Sequence, residues 1–358
     1  MKSLPRTDGV RLMPETRSTM QDVAREAGVH AATVSRALRN CAGVSAEVRS
    51  KVLQVASKLG YRPNPLVSAL IRSRRNRNRE KYHATLAFLL PQWPAASQSY
   101  REDYRQLIAG ATKRAGEYGY RLEEFSAAIQ GMSPHRLSEI LAARNIAGLI
   151  LPPLHSVQET VAVEWTRFPT MAVGYSHRIP VSRVVHNHAL AVHVALAKCR
   201  RQGCGRIGIV LPRRVSEKVE NRWLSAYLID QFQHQDSASA LPPLLLGEGE
   251  DEATFAPWLA KNRPDAILGL QHLTPIRRWL KSTGRRVPQD VSLVTLDYKE
   301  EGPKFAGVYH DHPLLGAVAV EQLVGMVEHN DPATNSRGAS IVIDGVWRDG
   351  PTLKIRGP

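Results

Sequence analysis

The chain reads as an α/β protein. An N-terminal helix-turn-helix head precedes a body long enough for two lobes, each a doubly wound parallel sheet. Three observations lead there. Three short amphipathic helical patterns lie between Thr19 and Gly60, the first two separated by a Gly turn. Positive charge is concentrated on the same end. From Thr85 onward, apolar strand-like runs alternate with helical stretches, the pattern of βαβ units.

The head is read from helical periodicity. Thr19 is placed to cap the first helix, with Asp22 in the capping-box position, and Val23, Ala24 and Ala27 share one face. Gly28 ends that helix. A second helix runs from about Ala31 to Leu38, with Val34, Ala37 and Leu38 apolar. Its other face carries Ala32, Thr33, Ser35, Arg36 and Arg39. Ser45 caps a third helix, whose apolar stripe is Val48, Val52, Val55, Ala56 and Leu59. A second helix with small side chains at its N-terminal end suits entry into a major groove. A plain three-helix bundle would show the same apolar spacing, and charge argues against it. Residues 1–83 hold 17 Lys+Arg against 6 Asp+Glu, which is +11 of the formal +15. A field so concentrated is the footprint of phosphate binding.

At 358 residues and 43% hydrophobic content, the chain suits a head plus one large or two medium domains. No apolar run reaches the roughly 18 residues of a membrane span. Met1 to Ser18 is polar and interrupted by Pro5, Gly9 and Pro14, so it reads as a disordered extension rather than a signal peptide. Three scattered cysteines, Cys41, Cys199 and Cys204, fit a reducing cytoplasm better than a disulfide framework.

Residues 65–83 read as a linker. Pro65 to Ile71 has the makings of a short helix with Pro in its first turn, and the Arg-rich run from Arg72 to Lys81 is too charged to pack. The body, 84–358, opens with the buried-strand run Leu86–Leu90. Further strands are expected at Ala147–Leu151, Thr170–Val173, Arg206–Leu211, Leu244–Leu246, Ala266–Leu270 and Val291–Leu296, with helices at Tyr104–Tyr118, Leu190–Cys199 and Asn221–Phe232. Ligands of open α/β sheets bind beyond the carboxyl ends of strands. That directs attention to Pro91–Trp93, Pro152–Pro153, Leu270–His272 and Asp297–Tyr298.

Val23-Ala24, Ala27-Gly28-Val29, Thr33-Val34-Ser35-Arg36, Val44-Ser45 and Tyr61-Arg62-Pro63-Asn64 follow one another at the spacing of a known head. The stretch resembles the DNA-binding head of the LacI/GalR family of transcription regulators (His30 stands where the family usually has Ser). The body resembles the family's periplasmic-binding-protein-like effector domain through Ala147–Pro152, Pro264–Ile267 and Val287–Asp297. The resemblance covers about Thr19 to Lys354 and is stronger in the head. It implies a DNA-binding set of Thr19, Ala31, Ala32, Thr33, Ser35, Arg36, Arg39, Ser45, Tyr61, Asn64 and Leu70. Leu70 falls at the family's minor-groove wedge, a device that kinks the duplex. It also implies that Asp297 accepts hydrogen bonds from sugar hydroxyls and that Arg222 reaches the ligand, while Gln271-His272 replaces the usual Asn-Asp.

Trp93 and Tyr104 are candidate stacking residues for a sugar face. A strand-end turn, an exposed helix Arg or an ordinary core aromatic would use the same residue types. His186-Asn187-His188 and His310-Asp311-His312 have a spacing that puts both imidazoles on one face of a strand. Sequence places no third ligand, so no metal is assigned. No nucleophile elbow, Walker loop, dinucleotide fingerprint or His-Glu-x-x-His is present, so neither an enzyme nor a cofactor is expected. Gly203–Arg206 is a turn before a strand, the wrong side for a phosphate loop.

The reading is a cytoplasmic regulator that takes operator DNA, a sugar-like effector and a second copy of itself as partners, with no membrane. The second copy follows from geometry, because one short helix reads only a few base pairs. The rival is a carbohydrate-binding or carbohydrate-processing protein whose basic head is incidental. The linker generates a first prediction. A helix below about 12–15 residues is marginal alone, so residues 65–71 should exchange amide hydrogens freely without DNA and become protected on operator binding. Leu70→Ala should weaken operator binding and reduce DNA bending. Strong protection in the DNA-free protein would refute this.

Overall fold

The computed structural model describes residues 20–38, 44–59, 84–91, 98–127, 132–155, 159–234, 240–247, 249, 252–270, 273–299, 304–329 and 338–355. Thr19, Arg39, Tyr61, Asn64, Leu70, Trp93 and Gln271 lie outside them, as do the expected extension and linker. The chain divides into two units, Met1–Lys81 with Glu328–Asn330, and Tyr82–Val327 with Asp331–Pro358.

The head consists of α1 (Met20–Ala27), α2 (Ala31–Leu38) and α3 (Ala46–Lys58). Gly28 adopts φ +67° after α1, and the Val29 amide donates to the Ala24 carbonyl, closing the helix end. Ser45 Oγ accepts from the Val48 amide at 3.3 Å, capping α3. The fully buried residues are all Val or Ala: Val23, Ala24, Ala27, Val34, Ala37, Val52 and Ala56. Such small side chains let three short helices pack closely.

Among the described residues, the body forms two six-stranded sheets. Its first lobe is built from β1 (Ala84–Leu90), α4 (Gln98–Glu117), β2 (Tyr120–Ser126), α5 (Pro134–Ala143), β3 (Ile146–Leu151), β4 (Thr170–Val173) and β5 (Ser182–His186). The second has α6 (His188–Arg201), β6 (Ile207–Pro212), α7 (Arg213–Lys218), α8 (Arg222–Gln233), β7 (Leu244–Leu246), α9 (Glu252–Asn262), β8 (Ala266–Gly269), α10 (Leu273–Ser282), β9 (Ser292–Tyr298) and β10 (Ala306–Tyr309). Then come α11 (His312–His329), β11 (Ser340–Ile343) and β12 (Val346–Arg348). The strand orders are β11-β5-β4-β3-β1-β2 and β12-β10-β9-β8-β6-β7. Every neighbouring pair is parallel except β10 and β12.

The strands are apolar on both faces because both faces are covered. Alternate residues of β1 divide between two cores. Leu86 and Phe88 meet α4 and α11, while Ala87 and Leu89 meet α5. In the second lobe, Ile209 and Leu211 face α6 and α8, and Val210 faces the Phe255, Trp258 and Ile276 cluster. Two helices pack on the lobe that did not precede them. α6 follows β5 of the first sheet and joins the second lobe's core; α11 follows β10 of the second sheet and joins the first lobe's core. β11 to β12 makes a third crossing.

The Asp265 carboxylate accepts from the Gly205 and Arg206 amides at 2.8 and 3.1 Å. The donors of that turn are therefore spent within the fold.

Where α4 and α11 touch, backbone meets backbone. A Cβ on Gly316 would lie 2.0 Å from the Leu107 carbonyl oxygen, and one on Gly110 would lie 1.9 Å from that of Pro313. The helices must separate to admit a methyl group, and overpacking of this kind costs roughly 1–3 kcal/mol. Gly316→Ala should lower the thermal midpoint of the body, while Gly325→Ala, with nothing within 4 Å of its new Cβ, should not. Equal midpoints for the two variants would refute this packing account.

Candidate nucleic-acid interface and interlobe site

In the head, α2 is held by Val34 and Ala37, which are buried against α1 and α3. Arg36 is exposed, and Ala31 and Thr33 are half-buried. The His30 carbonyl accepts from the Thr33 and Val34 amides, so the first turn of α2 forms with His30 in place of a hydroxyl cap. Ser45, expected among DNA-contacting residues, uses its hydroxyl as a helix cap. The side chains of Ala32 and Ser35 lie outside the description.

In the body, polar groups gather around the crossings. Asp297 lies near the end of β9 and pairs with Lys299 at 3.1 Å. Lys299 Nζ also donates to Asp103 Oδ1 at 2.6 Å, from α4 of the other lobe. His312 Nε2 lies 3.4 Å from Lys299 Nζ and 3.6 Å from Asp103. One ammonium thus joins two carboxylates across the lobes. Burial pushes the Lys299 ammonium down, but Asp297 and Asp103 outweigh it and hold its pKa up at about 12. Burial, reinforced by Asp297, raises Asp103 to about 6 against the pull of Lys299. Burial acts upward on Asp297 too, yet Lys299, His312 and His310 hold it well below the usual carboxylate range. Asp297 therefore carries the charge, and Asp103 is the softer partner.

Arg222 opens α8. Its guanidinium lies 4.0 Å from the Tyr175 ring centroid and pairs with Glu220 at 2.8 Å. Tyr175 stands beside His188, with centroids 5.9 Å apart, and His188 lies tilted by 49° against Trp223 with centroids 4.2 Å apart. Arg222 and Asp297 both act on the charge of His188, in opposite senses. Tyr104 is placed otherwise than expected. It is 5% exposed and packs with Leu86, Phe88 and Leu107 in the first lobe's core, so its ring offers no open stacking face. Its chain neighbour Asp103 reaches the site instead, because consecutive helical residues point about 100° apart.

The His-x-His segments also differ from the strand-face expectation. His186 ends β5 and His188 opens α6; His310 follows β10 and His312 opens α11. Each intervening residue caps a helix. Asn187 Oδ1 accepts from the Leu190 amide at 3.0 Å, and Asp311 Oδ1 from the Leu314 amide at 2.8 Å. The pairs converge, with His186 4.5 Å from His310 and 5.1 Å from His312 between centroids. Among the described residues, no three His, Cys, Asp or Glu side chains are arranged to grip a metal as they stand. Lys299, Asp103, Tyr175, Trp223 and the meeting of the histidine pairs escaped sequence reasoning. A Lys two residues after a strand-end Asp was the only local signal.

A basic helix-turn-helix head, with a two-lobed body of this strand order crossed three times by the chain, defines a DNA-binding regulator with a periplasmic-binding-protein-like domain. Comparison with known proteins agrees. Residues 19–64 match the family described as bacterial regulatory proteins, lacI family, and residues 196–345 match the periplasmic binding protein-like domain. The catabolite control protein A of Streptococcus mutans is 30% identical over 183 residues, half the length of each chain. The lactose operon repressor of Escherichia coli K12 is 24% identical over 86% of this chain and 84% of its own. The lac repressor dimer bound to operator and the anti-inducer ONPF shares the fold, with TM-score 0.56 and 21% identity over 94% of this chain and 99% of its own. The chain belongs to the LacI family of transcription regulators, which are not enzymes. No described helix is long and apolar enough to cross a membrane.

The ionic cluster yields a prediction. Removing one partner of a buried network leaves its counter-charges uncompensated. The groups here are 16–27% exposed, so solvent screens part of the loss. Lys299→Met should destabilise the body by about 2 kcal/mol. Adding Asp103→Leu should restore part of that, giving a favourable coupling in a double-mutant cycle. Strict additivity would show that the pair does not interact.

Proposed function

We propose that this protein is a sequence-specific transcription repressor that binds operator DNA as a homodimer. A small sugar-like effector held between the lobes controls its operator affinity. The observation that carries the DNA half is α2, whose apolar face is locked into the head core while Arg36 stands exposed. A bidentate Arg to guanine provides roughly 1–3 kcal/mol of discrimination. Ala31 and Ala32 have only methyl groups for thymine contact, so DNA shape and the linker carry the remaining specificity. The +11 charge of residues 1–83 provides the non-specific attraction. A second copy supplies the second half-site.

The effector half rests on the polar groups at the crossings. Asp297 is a charged acceptor at a strand end, and Arg222, over Tyr175, provides donors. Asp103–Lys299 ties the lobes together, so a ligand competing for Asp297 or Lys299 would alter how they are joined. Linkage then passes effector binding to operator affinity.

Gel shifts with the promoter DNA next to the gene test the first half. Arg36→Ala should weaken operator binding about tenfold or more while hardly changing affinity for random duplex. Equal losses on both would reduce Arg36 to a phosphate contact. A thermal-shift screen of sugars and nucleosides tests the second, since a ligand of the folded state raises apparent stability. Asp297→Ala should abolish the ligand-induced shift yet leave ligand-free operator binding largely intact. Full ligand affinity in that variant would remove Asp297 from the site.

A further inference from the structure

We propose that His186, His188, His310 and His312 form a binding site for a divalent first-row transition-metal ion, built across two of the crossings between the lobes. His186 and His188 flank the passage from the first sheet to α6. His310 and His312 flank the passage from the second sheet to α11. His186 and His310 are 124 residues apart in sequence, and the fold packs their rings against one another.

Four ring pairs have centroid separations of 4.5, 5.1, 5.7 and 6.3 Å. Imidazoles on a tetrahedral ion, with metal–nitrogen bonds of about 2.0–2.1 Å, have centroids about 5 Å apart. Rings this close leave no room for a sugar between them, so only a single ion can touch three or four at once. As they stand the nitrogens do not converge. Rotation about the broad χ2 torsion of histidine redirects them without moving the ring centres far.

The second line of argument is unmet hydrogen bonding. His186 and His188 are each 8% exposed and His310 2%. Both nitrogens of His186 and the Nδ1 of His188 are buried without a hydrogen-bond partner. Each such atom loses its water without gaining a partner, so the fold retains a cluster that a bound ligand would satisfy. Burial, aided by the neighbouring imidazoles and by Lys299, keeps His186 neutral, and burial does the same for His188, His310 and His312. Neutral imidazoles offer the lone pairs a metal needs. Nitrogen donors favour nickel, copper or zinc over magnesium or calcium. The nearby carboxylates, Asp103 and Asp297, are already engaged with Lys299, and they offset the charge of Lys299, Lys218 and Arg222. An ion held by all four rings would pin two crossings together and so restrain the lobes. Metal binding itself is independent of the operator and sugar readings.

The test uses the full chain, treated with chelator, dialysed and titrated with cobalt(II). The expected result is the visible absorption of tetrahedral, nitrogen-coordinated cobalt at one ion per chain, displaced by zinc. His186→Gln and His310→Gln, made separately and checked for native circular dichroism, should each weaken binding at least tenfold, while His135→Gln on the exposed start of α5 should not. Absence of the spectrum in the wild-type chain would overturn the proposal whatever the variants do. Equal uptake by wild type and both site variants would overturn it too, by locating the ion elsewhere. A sugar-induced thermal shift without metal uptake would overturn the metal site and leave the effector reading standing.

Discussion

The body depends on one topological constraint: the chain crosses between its two sheets three times. Because α6 and α11 each pack on the lobe opposite to the strand before them, neither lobe completes its core without the other's chain. α11 is the clearer case. It is apolar for most of its length, and its backbone contacts α4 through Gly316 and Gly110. That intimacy anchors the start of α11, and with it His312, beside Asp103 on α4. Polar groups from both lobes meet at the crossings, as Asp103 and Lys299 do.

The electrostatics of that place follow from burial working against pairing. Lys299 is the cation that two carboxylates share; Asp103 and Lys299 are each shifted by the other two members as well as by loss of solvent, and Asp297 by burial, Lys299 and the neighbouring histidines. Such a network has weak claim as a source of net stability, because desolvation offsets much of the Coulomb gain. Its value lies in being satisfied in one arrangement of the lobes. The histidines beside it are the reverse case. They are buried and neutral, and both nitrogens of His186 and the Nδ1 of His188 lack a hydrogen-bond partner.

The head follows a different economy. Seven small buried residues hold three helices, and a glycine with positive φ turns the chain between the first two. With so little apolar surface, the head gains from close helix approach rather than from large side chains. Arg36 on the other side of α2 stays exposed.

The sequence by itself determined what rests on local patterns. Helical periodicity and Gly28 define the head, Ser45 declares its cap, and β1, β3, β6, β8 and β9 appear as continuous apolar runs because both their faces are buried. β2 was not legible, being an edge strand with mostly polar residues and an uneven burial pattern. β11 and β12 are edge strands too and only partly buried, and Gly307 interrupts β10. Asp297 and Arg222 were legible as site candidates through family resemblance, but Tyr104 in place of Asp103 was a choice of helix face. Only packing against the sheet makes that choice. Tertiary structure alone decided that Lys299 meets Asp103 across 196 residues, and that two His-x-His segments form one cluster. Both depend on where the chain crosses between lobes, a non-local property that no window of sequence contains.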